Sequence, residues 1–101
     1  MVYKVRVTKG IWSDEERTEL FDDLYRDIEL PFIPFVGLEL RQDGWWCGPI
    51  DRLKWDGDRQ LFVAESRDAA PNPDLDFPKT AEEMRDSDMK NYGWKSHKKK
   101  L

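Results

Sequence analysis

From the second residue onward apolar and polar positions alternate, with Tyr3, Val5 and Val7 on one side and Lys4, Arg6 and Thr8 on the other. A period of two predicts a half-buried strand over 2–8, and Gly10 is expected to break it. Ser13-Asp-Glu-Glu16 then has the form of a capping box, in which a hydroxyl and a carboxylate satisfy the free amides at a helix start. Leu20, Phe21, Leu24, Tyr25 and Ile28 follow at helical spacing as one apolar stripe, and Pro31 and Pro34 stop the helix near Glu29.

Beyond the prolines the period returns to two. Asp43-Gly44 readily supplies a type I′ turn, which pairs Gln42 with Trp45, Arg41 with Trp46 and Leu40 with Cys47. Cross-strand partners share a face, so Trp45 and Cys47 join Leu38 and Leu40 in the core, while Trp46 lies outside with Glu39 and Arg41. After the bend at Gly48-Pro49, Leu53 and Trp55 are expected to return to the core, with Arg52 and Lys54 on Trp46's side. A fourth strand follows at Leu61–Glu65. A three-residue loop before it puts Leu61 and Val63 inside and Phe62 outside, and a two-residue loop reverses this.

Residues 67–79 read as an extended, proline-rich arm. Thr80-Ala-Glu-Glu83 is a second capping box and predicts a short helix through about Lys90, with a thin apolar face of Ala81, Met84 and Met89. The last stretch, 91–101, reads as a basic, mobile tail that last touches the domain at Tyr92 and Trp94. The expected fold is α+β: a single two-layer domain over 1–90, in the order β-α-β-β-β, followed by the arm and the short C-terminal helix. The first strand should run parallel to the second and fourth.

Composition narrows the classes. At 101 residues the chain is long enough for one modest core, and its 13% aromatic content is too rich for a disordered chain despite 38% charged residues. A net charge of −4 discourages non-specific attraction to duplex DNA or anionic lipid. The single Cys47 excludes an internal disulfide and suits a reducing interior. No apolar run approaches the roughly 20 residues of a membrane span, and "MVYKVRVTKG" has no signal-peptide core. The expectation is a soluble cytoplasmic protein without membrane contact.

Two surfaces stand out as candidates. The outward sheet face collects Lys4, Arg6, Arg41, Trp46, Arg52 and Lys54, where a surplus tryptophan among cations suits a protein hot spot or a platform for stacked bases. The expected helix aligns Glu16, Glu19, Asp23 and Asp27 in one acidic stripe, a spacing that suits a basic partner or an ordinary solvated face. Covering of the sheet face by the arm and second helix is the competing structural reading. Cys47 faces inward in this register, and His97, the sole histidine, lies in the tail, so no nucleophile–base pair forms. No metal-ligand cluster, phosphate-cradling loop or cofactor motif is present in the sequence.

"ELPF", "DGWWCG" and "LFVAES" together resemble the motif order of Src-homology 3 domains, over about Glu29 to Ser66. The resemblance implies an aromatic groove for proline-rich peptides. The chain departs from that pattern on both sides of "ELPF", with a capped amphipathic segment before it and "IPFVG" after it. The functional expectation is a small non-enzymatic interaction module that binds a protein partner. Single-stranded nucleic acid on the same sheet face, helped by the basic tail, is the alternative.

Overall fold

The computed structural model describes residues 1–14, 18–42, 45–69 and 80–98, with the backbone alone at 42, 46 and 67–69. Strands dominate it. β1 (Tyr3–Trp12) and β2 (Leu20–Leu30) form a long antiparallel pair; β3 (Leu40–Gln42) and β4 (Trp45–Cys47) form a small hairpin. β5 (Ile50–Asp56) and β6 (Leu61–Ala69) follow, then α1 (Ala81–Tyr92) and the two-residue β7 (Lys95–Ser96). The main sheet has the order β5-β6-β1-β2-β7, and β3–β4 makes a separate two-stranded sheet. Of the main-sheet pairs only β1–β6 is parallel.

The expected β-α-β-β-β order is overturned at its second element. Residues 20–30 are a strand, not a helix, and pair with β1 from Tyr3 opposite Leu30 to Ile11 opposite Asp22. Two periodicities coexist in this stretch. The helical stripe runs through Leu20, Phe21, Leu24, Tyr25 and Ile28, while the period-two set runs through Asp22, Leu24, Arg26, Ile28 and Leu30. The second set requires two charged side chains on the covered face, a cost that pattern reading counts against a strand. Tertiary contacts offset it. Asp22 accepts a hydrogen bond from the Ser96 hydroxyl at 2.5 Å and lies 3.6 Å from the Arg85 guanidinium; Arg26 donates to the Tyr92 carbonyl.

The cap at Ser13 has a different use. Ser13 N–H donates to the Glu19 carbonyl at 2.8 Å, and the Asp14 carboxylate accepts from the amides of Thr18 and Glu19 and from the Thr18 hydroxyl. These bonds close the connection between β1 and β2, and they hold the Asp14 carboxyl below its ordinary range. Gly10 does not break the strand either, since β1 continues to Trp12. A Cβ there would stand 3.0 Å from Leu20 Cδ1 and 3.2 Å from Trp12 Nε1, so the missing side chain lets both fold over the strand.

α1 begins at the Thr80 cap, whose side chain accepts from Glu83 N–H at 3.2 Å, and ends at Gly93 in the left-handed region. Its apolar face is thin, and charge holds it to the sheet. Lys9 Nζ meets Asp88 at 2.9 Å and lies 4.5 Å from the centre of the Trp94 ring, while Arg85 stacks on Phe21. Trp94 is buried edge-to-face against Trp45, 5.6 Å between ring centres. Around this pair Val5, Val7, Ile11, Leu24, Cys47, Ile50 and Ala64 complete the core.

The chain stays on the domain past Trp94. Lys95–Ser96, read from sequence as the start of a tail, pair with Tyr25 and Leu24, and His97 N–H donates to the Asp23 carbonyl. The β3–β4 register is the expected one, with Trp45 and Cys47 buried. At β6 the parity is that of the shorter loop. Phe62 pairs with Val5 and packs on the core, whereas Leu61 and Val63 lie on the other face, Val63 between Arg6 and Lys54.

Candidate functional site

The sheet covers one face with α1, Trp94 and the β3–β4 hairpin. The other face is open at Lys4, Asp27 and Glu29, which are exposed, while Val63 and Leu61 on it are 8% and 9% exposed. Alternation places Lys4, Arg6 and Thr8 of β1 on this open face, with Asp23, Tyr25, Asp27 and Glu29 of β2 beside them. β6 adds Val63 and Glu65, and β5 adds Arg52 and Lys54. The cations Lys4, Arg6, Arg52 and Lys54 therefore share a face, whereas Arg41 sits on the separate hairpin. The Trp46 side chain and Glu16 lie outside the described residues, and Glu19 precedes β2.

Unfolding the expected helix into a strand moves its acids. Asp23 and Asp27 no longer form a stripe of their own; they stand next to the cations of β1. Arg6 donates two hydrogen bonds to the Asp27 carboxylate, at 2.8 and 3.0 Å, and lies 4.8 Å from the Tyr25 ring centre. This pairing raises the Arg6 pKa and lowers that of Asp27. Lys54 faces Glu65 at 3.6 Å. The surface read from sequence as basic is thus a mosaic of alternating sign.

A depression at one end of this face is lined by Trp12, Leu20, Asp23, Arg52, Glu65 and His97, among others. Burial raises the Asp23 carboxyl, and the nearby His97 works against that shift. The His97 ring packs on Tyr25 at 4.7 Å, so it is held as part of the β7 contact. Among the described residues no group of His, Cys, Asp or Glu is arranged to hold a metal ion. Cys47 is fully buried in the core.

The opposite end of the sheet is apolar and exposed. Pro31 and Pro34 prevent β2 from continuing, and the chain returns through Gly37, at φ 95°, whose N–H donates to the Ile50 carbonyl. Between them Phe32, Ile33, Phe35 and Val36 are 42%, 55%, 54% and 62% exposed, and the two phenylalanine rings touch. Trp55, expected in the core, is 58% exposed. It lies near the end of edge strand β5, stacked edge-on against Phe62, which in turn meets Tyr3. Because Tyr3 pairs with Leu30, the exposed Met1 and Val2 leave the sheet at the same end as the Phe32–Val36 loop.

Exposed apolar side chains gathered in one place mark interaction surfaces more often than scattered ones do. Sequence reading passed over this loop because "PFIPFVG" has neither a strand nor a helix period. Its signal is density: four large apolar residues between two prolines and a glycine, in a segment that cannot extend the sheet. No family model, curated protein or solved structure matches the chain.

Proposed function

We propose that the protein is a small, non-enzymatic interaction module that binds a protein partner through the apolar end of its sheet. Phe32, Ile33, Phe35 and Val36 form the centre of the contact, and the mosaic of charges on the open face forms its rim. The observation that carries this reading is the exposure of Phe32, Ile33, Phe35 and Val36 within one short loop, where the two phenylalanine rings meet. An apolar centre with a charged border is the usual anatomy of a protein interface. The lone buried thiol and the net negative charge suit action in the cytoplasm. Single-stranded nucleic acid is the less supported occupant, because Asp27 and Glu65 neutralise Arg6 and Lys54 where phosphates would bind.

A photo-crosslinking side chain at position 35, introduced in the native host, tests the reading. A discrete protein adduct is expected, and Ile33→Ser with Val36→Ser should abolish it while thermal unfolding stays nearly unchanged. An adduct that survives both substitutions, or none at position 35, would overturn the assignment of this end as the binding surface.

A further inference from the structure

We propose that the partner docks by strand addition: an extended peptide of alternating basic and apolar residues pairs with the outer edge of β2 between Arg26 and Leu30. The inference rests on the protein-binding reading above and specifies its chemistry. β7 pairs with β2 only at Leu24 and Tyr25, so among the described residues the edge beyond Tyr25 has no strand partner. Alternate backbone groups there point outward with no strand paired to them among the described residues, which makes such an edge a template for another strand. β7 shows that this edge accepts one.

The two edges of the sheet differ. β5 follows Pro49, shifts register between Ile50 and Arg52, and carries Lys54, all features that discourage pairing. β2 also carries charges, Arg26, Asp27 and Glu29, but from Leu24 to Leu30 it has no proline and its register against β1 is regular. The edge also leads directly into Pro31 and the exposed phenylalanines, so a docked strand would continue onto the apolar surface.

The chemistry of the peptide can be read from β1, which already pairs with the inner side of the same stretch. There Tyr3 and Val5 stand opposite Leu30 and Ile28, and Lys4 and Arg6 stand opposite Glu29 and Asp27. A strand on the outer side meets the same two rows: apolar Ile28 and Leu30 on one face, Asp27 and Glu29 on the other. Asp27 is engaged by Arg6, and Glu29 is exposed. A shallow depression lined by Lys4, Asp27, Glu29 and Leu61 adjoins this stretch and gives room for a basic side chain.

The probe is a synthetic peptide with the sequence of residues 3–9, YKVRVTK, added to the full chain at millimolar concentration. Backbone amide exchange should slow about tenfold at alternate positions between Arg26 and Leu30 and not along β5. Glu29→Lys should weaken binding about fivefold, and a peptide with proline at its centre or with Glu for each Lys and Arg should not bind. Absence of protection at 26–30, or binding indifferent to Glu29→Lys, overturns the proposal. Protection confined to the Phe32–Val36 loop would overturn strand addition while leaving the protein-binding reading intact. Protection at 26–30 without a position-35 adduct, or with one that survives the Ile33 and Val36 substitutions, would keep strand addition and overturn the loop as the binding surface.

Discussion

Replacing Arg85 with methionine isolates the interaction that permits a charged residue inside β2. Asp22 is fully buried and has three partners: the Arg85 guanidinium at 3.6 Å, the Ser96 hydroxyl at 2.5 Å and the Asp23 amide at 2.7 Å. Removing one member of a buried ion pair costs about 3–5 kcal/mol, because the remaining charge stays in a poor solvent. The two retained hydrogen bonds and the long ion-pair distance put Arg85→Met at the low end, about 3 kcal/mol. Lost stacking on Phe21 is about 0.5–1 kcal/mol of that. Adding Asp22→Asn removes the stranded charge and keeps an acceptor for Ser96, so the double variant should recover to within about 1 kcal/mol of the parent. Urea unfolding followed by tryptophan fluorescence measures this, provided the denaturant slope is unchanged. If residues 14–29 were the amphipathic helix of the hydrophobic pattern, Asp22 would lie off its apolar stripe in water. Arg85→Met would then cost little, and Asp22→Asn would rescue nothing; that result refutes the reasoning.

Three further outcomes follow from the packing. Trp45→Ala should destabilise the fold by about 3–5 kcal/mol, and Trp55→Ala by less than about 1.5 kcal/mol, since only the first is buried; thermal unfolding of both variants separates them. Gly93→Ala should cost about 2 kcal/mol in chemical denaturation, because φ is 74° and the new methyl would stand 2.6 Å from Arg26 Nη1. Asp27→Asn should cost under about 1 kcal/mol at neutral pH, as Asp27 is half exposed. Its folded carboxyl titrates below the ordinary range, so the pair's contribution is present above the unfolded value and fades as pH falls through the lowered one. Stability curves of parent and variant should therefore converge in acid.

Local signals that act over a few residues were legible. The Asp43-Gly44 sequence signal predicted the pairing of Leu40 with Cys47 that is found, and the Thr80 capping box marked the start of α1. The first strand does run parallel to the Leu61 strand, but the β-α-β-β-β order from which this is expected is not the one found, and the Leu40 strand lies in a separate sheet. What failed depended on distant partners. Leu20–Leu30 satisfies both periods, and the deciding contacts come from Arg85, Tyr92 and Ser96, which lie more than sixty residues later. The acidic stripe failed with the helix, because its alignment existed only at helical spacing. Trp55 failed because period two fixes the side of a sheet but not how far the cover extends along it. The exposed phenylalanine loop was missed because it has no period at all.

The open edge, the charge mosaic and the position of the apolar loop all depend on β2 being a strand. Backbone chemical shifts of residues 20–30, with cross-strand nuclear Overhauser contacts to β1, test this directly. Extended-chain Cα shifts from Asp22 to Leu30 are expected, with contacts of Ile28 with Val5 and of Leu24 with Lys9. Helical shifts over 14–29 with contacts between residues three and four apart would contradict it, and would remove the edge on which the proposed partner strand is built.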